Sequence, residues 1–307
     1  MPQRAASTPP RTRKRRRIAF AVLGLVILLV VAYMGVGLFV ANRLSERSDS
    51  PIQGSPGDVG LEYEDVGFKS EDGVPLRAWW IENDDAERVA VLVHGFGGNR
   101  SDEHILQTAP IYASRDYSVL ILDLRGHGDS GGERRTLGYN EAQDVRAAVS
   151  WLEEPGYKPD DVLLHGWSMG GATVVRAAPN ADVGAVIEEA GYADLPLLLS
   201  RELPESSGLP SFFNPGILLS AKLFLDFDPW DVVPENEAER LERKDVPLFV
   251  IHSTTDETVD FEHSRIFRDA NSEAEFWRLE NYDHVEAYTH PDYETRLNDF
   301  LEEAENP

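Results

Sequence analysis

Ten consecutive residues constrain this chain more than any others: Val162-Leu163-Leu164-His165-Gly166-Trp167-Ser168-Met169-Gly170-Gly171. A short apolar run, the form of a buried strand, enters a turn with Gly166 and Gly170 on either side of Ser168. Small residues then continue to Ala178 in the manner of a helix. A strand that turns straight into a helix needs close backbone approach, which glycine permits. The residue at the apex takes a strained conformation, and its side chain is projected above the sheet. The start of the helix favours developing negative charge nearby. Here the apical residue is Ser168. A serine in an ordinary glycine turn fits the same five-residue pattern, so the surroundings have to decide.

From Leu61 onward strands and helices alternate. Strands are predicted at Tyr63–Phe68, Leu76–Ile81, Val89–Val93, Ser118–Leu122, Val162–Leu164, Val183–Ile187, Leu248–Ile251 and Glu275–Leu279. Helices are predicted near Asp102–Ser114, Glu141–Leu152, Gly170–Ala178, Phe261–Ala270 and Tyr293–Leu301. This rhythm indicates an α/β fold, a mainly parallel sheet with helices on both faces. Residues 194–243, rich in Pro, Leu and Phe, break it and read as an inserted cap. Their apolar side chains either line an acyl site or simply pack the cap. The catalytic body is expected to span residues 61–307.

The N-terminus is the second strong signal. Arg11 to Arg17 holds six basic residues in seven positions, and Ile18 to Val40 follows with 23 residues and no charge. At 1.5 Å per residue such a helix spans roughly 35 Å, enough for a bilayer's hydrocarbon layer. Residues 18–40 are therefore expected to be a transmembrane helix. Basic residues 1–17 would stay in the cytoplasm, and the body would stand outside the cell membrane. A cleaved signal peptide, with Gly35 and Gly37 near the cut, is the alternative and would give a secreted protein. Residues 41–60, rich in Ser, Pro, Gly and Asp after Ser45, read as a linker holding the body off the membrane.

Charge narrows the partners. Residues 1–47 carry nine basic residues and one acidic residue, so a chain of formal charge −25 leaves its body near −33. That balance argues against nucleic acid, whose recognition needs a basic footprint. The absence of cysteine excludes disulfides, thiolate metal sites and a cysteine nucleophile. No histidine–carboxylate spacing typical of a metal site appears, and no cofactor is expected. Nothing in the pattern bears on oligomeric state.

Four segments taken in order resemble the α/β-hydrolase superfamily. They are His94-Gly95-Phe96-Gly97-Gly98-Asn99, the loop Arg125-Gly126-His127-Gly128-Asp129-Ser130, the turn around Ser168, and the acid and histidine loops near the C-terminus. The resemblance covers about residues 60–303, within the branch of capped esterases, lysophospholipase-like enzymes and serine peptidase-like relatives. It implies Ser168 as nucleophile, with the backbone N–H groups of Phe96 and Met169 receiving the oxyanion. The acid is expected about five residues beyond a late strand, at Asp256, with Glu257 and Asp194 as alternatives. The base is expected after the last strand, at His284, with His290 as its competitor. Ser253 stands where the family often has glycine. The other histidines, His252 among them, read as structural. The implied activity is ester hydrolysis, of a small or lipid-like substrate, through an acyl-enzyme. A serine peptidase or amidase of the same fold is the alternative, and an inactive hydrolase-fold binding module is the alternative from another class.

Overall fold

The computed structural model describes residues 11–305; residues 1–10 of the basic segment lie outside that range. The strands are β1 (Glu64–Lys69), β2 (Pro75–Ile81), β3 (Arg88–Val93), β4 (Tyr117–Asp123), β5 (Val162–Trp167), β6 (Ala185–Glu189), β7 (Leu248–Ser253) and β8 (Glu275–Leu279). They form one sheet in the order β1-β2-β4-β3-β5-β6-β7-β8. The first two pairings are antiparallel and all others parallel. This is the α/β-hydrolase fold.

Alternation along each strand sorts side chains into two cores. In β3, Val89, Val91 and Val93 face one side, and Ala90 and Leu92 the other. The first core is closed by α3 (Glu141–Trp151), α4 (Met169–Ala181), α7 (Pro234–Glu242) and α8 (Glu262–Ala270). The second is closed by α2 (Glu103–Ala113) and α9 (Tyr293–Glu305). Strands buried on both faces need apolar residues at consecutive positions, as Val89–Val93 and Val162–Leu164 supply.

Between β6 and β7 lie α5 (Leu195–Ser207), a 3₁₀ turn at Ser211–Phe213, α6 (Asn214–Phe224), a second turn at Pro229–Asp231, and α7. Asp194 caps α5 by accepting a hydrogen bond from Leu197 N at 2.6 Å. Gly208, at φ +69°, stops it. Helix α7 packs on α4 and α8. It therefore belongs to the body's helical layer, and the cap proper ends before Pro234.

Helix α1 (Arg11–Ser45) runs five residues past the apolar stretch expected to end at Val40. Among the described residues it is the one helix long and apolar enough to cross a membrane, by length and composition. The segment after it departs from a free linker. Ser48 N donates to Gly126 O at 2.8 Å, and Arg47 donates to Ser130 O at 2.6 Å. The Asn99 side chain donates to Pro51 O at 3.1 Å, and a 3₁₀ turn at Pro56–Val59 packs on α2. A polar, proline- and glycine-rich composition describes backbone preference. It is blind to partners some eighty residues further along the chain.

Candidate active site

Ser168 occupies the turn between β5 and α4 at φ 55°, ψ −121°, a conformation that L-residues rarely adopt. The flanking glycines show why the turn closes here. A Cβ on Gly166 would run into the Gly170 backbone, and one on Gly170 would run into the carbonyls of Val93 and His94. Ser168 N donates to Glu189 O at 2.8 Å, which ties the turn to the end of β6.

His284 lies in the loop after β8. Its Nε2 is 2.8 Å from Ser168 Oγ, and its Nδ1 is 2.7 Å from Asp256 Oδ2. Asp256 is reached from the turn after β7, where its Oδ1 accepts from Thr258 N at 2.8 Å and Val259 N at 2.9 Å. Burial would raise the pKa of this carboxyl. Hydrogen bonds from His252 and His284, with the charge His284 can carry, outweigh burial and hold it well below the usual carboxylate range. An ionised Asp256 favours the tautomer in which His284 Nδ1 carries the proton and Nε2 is free to accept one.

The competing residues are employed elsewhere. Glu257 is exposed, and Asp194 caps α5. His290 accepts from Asp292 N at 3.0 Å and meets the Trp277 ring edge-on.

The turn after β3 passes directly over the serine. A Cβ on Gly95 would lie 3.1 Å from Ser168 Cβ and 3.3 Å from Trp167 O, so only glycine fits comfortably. Phe96 and Met169, the two residues expected to supply oxyanion donors, follow Gly95 and Ser168 directly in the chain. Two buried histidines pin the turn. His94 Nδ1 donates to Gly95 O at 2.8 Å while its Nε2 accepts from Leu124 N at 3.1 Å. His127 Nδ1 donates to Arg125 O at 2.8 Å, and its Nε2 accepts from Gly97 N at 3.3 Å. Burial pushes His127 down to about 2, so it stays neutral and keeps that acceptor. From the other side, Ser48 Oγ donates to Gly97 O at 2.9 Å, and the Arg135 guanidinium lies 4.0 Å from the Phe96 ring centroid.

Three features escape a reading of the sequence by motif. His252 Nε2 lies 2.8 Å from Val259 O and 3.3 Å from Asp256 Oδ2, so the acid sits between two histidines. The spacing of four residues across a tight turn was the available signal. Ser253, in place of a glycine, donates its hydroxyl to Tyr282 O at 2.6 Å, and Thr255 Oγ1 does so at 2.9 Å. These bonds join the acid loop to the histidine loop two residues before His284. Glu188 and Glu189 end β6 fully inside the body. Burial raises Glu188 to about 7 and Glu189 to about 8. Glu189 Oε2 accepts from Trp167 Nε1 at 2.9 Å and from the Tyr293 hydroxyl at 3.1 Å. Two acidic residues closing an apolar strand were its trace in the sequence.

A family model described as "Alpha/beta hydrolase family" matches residues 90–295. The chain is 25% identical over 257 residues to the uncharacterized protein YfhR of Escherichia coli K12, covering 80% of this chain and 82% of that one. It is 31% identical over 146 residues to a phosphatidylserine lipase of Bos taurus, covering 47% of this chain and 23% of the lipase. Among solved structures, an esterase of Pyrococcus furiosus superposes with a TM-score of 0.66 at 25% identity, covering 82% of this chain and 96% of the esterase.

Proposed function

This chain belongs to the alpha/beta hydrolase family, and from that premise we propose that it is a serine hydrolase that cleaves a carboxylic ester through an acyl-enzyme on Ser168. The observation that carries the proposal is the unbroken hydrogen-bonded line Asp256–His284–Ser168, at 2.7 and 2.8 Å. A hydroxyl needs a base, and the base needs an orienting acid. Likeness to the archaeal esterase and, over part of the chain, to the bovine lipase supports an ester over other carbonyl substrates.

His284 Nε2 takes the Ser168 proton as Oγ attacks the carbonyl carbon. Asp256 holds the ring and stabilises its charged form. The N–H groups of Phe96 and Met169 receive the oxyanion, each worth about 3–4 kcal/mol in the transition state. Collapse of the tetrahedral species expels the alcohol, which leaves with the proton from His284. Water then attacks the acyl-enzyme with His284 again as base, and the acid departs.

Helix α1 is read as the membrane span that tethers this site. The basic cluster marks its cytoplasmic end, and the body stands on the other side.

The full chain in detergent tests the enzymatic reading. A fluorophosphonate probe should label it once, and p-nitrophenyl esters should be turned over. Ser168→Ala should remove labelling and cut turnover by about a million-fold. Folded parent protein that neither labels nor hydrolyses any ester in a panel of acyl lengths would mean a binding module. Amide turnover outpacing ester turnover would mean a peptidase or amidase.

A further inference from the structure

The cap and the tether are not separate parts. Tyr33 of α1 donates its hydroxyl to Phe212 O at 2.7 Å and accepts from Gly216 N at 3.1 Å. Its ring stacks on Phe213 with centroids 5.3 Å apart. Ser220 Oγ donates to Met34 O at 3.2 Å. Gly37 meets Gly216 so closely that a Cβ on Gly37 would fall 2.5 Å from Gly216 O and 2.9 Å from Ser220 Oγ. Close approach of small residues, with hydroxyls bonding across the seam, is the packing that holds helices together in lipid.

Length fixes where this seam lies. The hydrocarbon layer is about 30 Å thick and takes up about 20 helical residues. Counted from Ile18, the first residue after the basic cluster, that reaches Gly37. Tyr33, Met34 and Gly37 therefore meet α6 inside the layer rather than above it. The next charged residue along α1 is Arg43.

The surface around the seam fits the same depth. Phe39 on α1 is 71% exposed, and on the cap Phe212 is 61%, Leu223 58% and Phe224 59% exposed. Leu219 and Leu223 stand on the outward face of α6, where a helix of a water-facing cap would carry polar residues. From Gly208 to Leu225 there is one charged residue, Lys222, and no acidic residue, in a body whose net charge is near −33. Lys222 shares this face, with its ammonium paired to Asp228, and exposed apolar side chains gathered in this way mark a binding surface.

We propose that the outward face of α6, with the Ser211–Phe213 turn, is seated in the outer leaflet of the lipid bilayer, so that the cap of the hydrolase is a membrane-embedded surface. The proposal rests on α1 as the span and goes beyond it. It makes the lipid leaflet the phase that the cap meets.

The chain has no cysteine, so single cysteines can be introduced at will. Full-length Leu223→Cys and Phe212→Cys, each carrying an environment-sensitive fluorophore, are placed in vesicles of phosphatidylcholine and phosphatidylglycerol. Leu28→Cys reports on the span and Glu294→Cys on the water-facing body. The expected result is loss of fluorescence at 223 and 212 with brominated lipid and protection from aqueous iodide, as at 28 and opposite to 294. Iodide quenching at 223 and 212 with lipid quenching kept at 28 overturns the embedded cap and leaves the anchor standing. Iodide quenching at 28 overturns the anchor, and the embedded cap with it. Protection of 223 and 212 from both quenchers would mean that protein, such as a second copy, covers the face, which also overturns the proposal.

Discussion

Ser168 holds a positive φ because the strand, the turn and the helix leave it no other conformation, and the same strain aims its hydroxyl at His284. Beneath it, Glu189 stores a different kind of cost. Burial raises its carboxyl from an ordinary 4.5 to about 8. As pH climbs past 4.5 the unfolded chain gives up this proton first, while the folded chain keeps it. Its contribution to stability is therefore intact below about 4.5 and shrinks steadily toward pH 8. Glu189→Gln keeps an oxygen acceptor for Trp167 and Tyr293 and has no proton to lose. Its melting temperature should gain on the parent by several degrees between pH 5 and pH 8. A difference that stays constant across that range would contradict the buried neutral acid. Ser168, Asp256 and His284 were singled out by the resemblance to a family, and their side chains do lie in one hydrogen-bonded line. His252 and Ser253 were legible as residues but not as partners. Their bonds to Asp256 and Tyr282 depend on how two loops, some thirty residues apart, fold against each other.

Strands and helices of the body were readable because burial on both faces imposes apolar runs, and the observed ends differ from the expected ones by a few residues. The stem, residues 46–60, was not readable, because its order comes from hydrogen bonds to the loop at 126–135 and to Asn99 rather than from its own composition. That order has a consequence for catalysis. Ser48 and Arg135 brace the turn that carries Phe96, and the Arg135 guanidinium also donates to Glu46 O at 2.5 Å. The parent chain keeps this brace, and the double variant Ser48→Ala, Arg135→Ala loses it while α1 stays packed on α6. The second should show a kcat lower by roughly tenfold with a similar KM, a fraction of the 10²–10³ that a lost oxyanion donor costs. Equal kcat in the two would show that the stem does not position the turn.

In the whole molecule, α1, the insertion after β6 and the sheet body form one connected architecture. α1 packs on α6, the stem braces the turn after β3, and that turn overhangs Ser168. A long apolar helix and an insertion between two strands were each visible in the sequence, the first from an uncharged run and the second from a break in strand–helix rhythm. Their contact was not, since Tyr33 and Phe212 lie far apart in the chain and neither belongs to a motif. An acyl-enzyme on Ser168 is the species proposed at the heart of this assembly, and rapid mixing of the full chain with a p-nitrophenyl ester looks for it. A burst of p-nitrophenol approaching one equivalent per chain is expected, with acid quenching trapping the acyl group on the peptide that contains Ser168. Steady turnover with no adduct on that peptide, or an adduct on another residue, would contradict it.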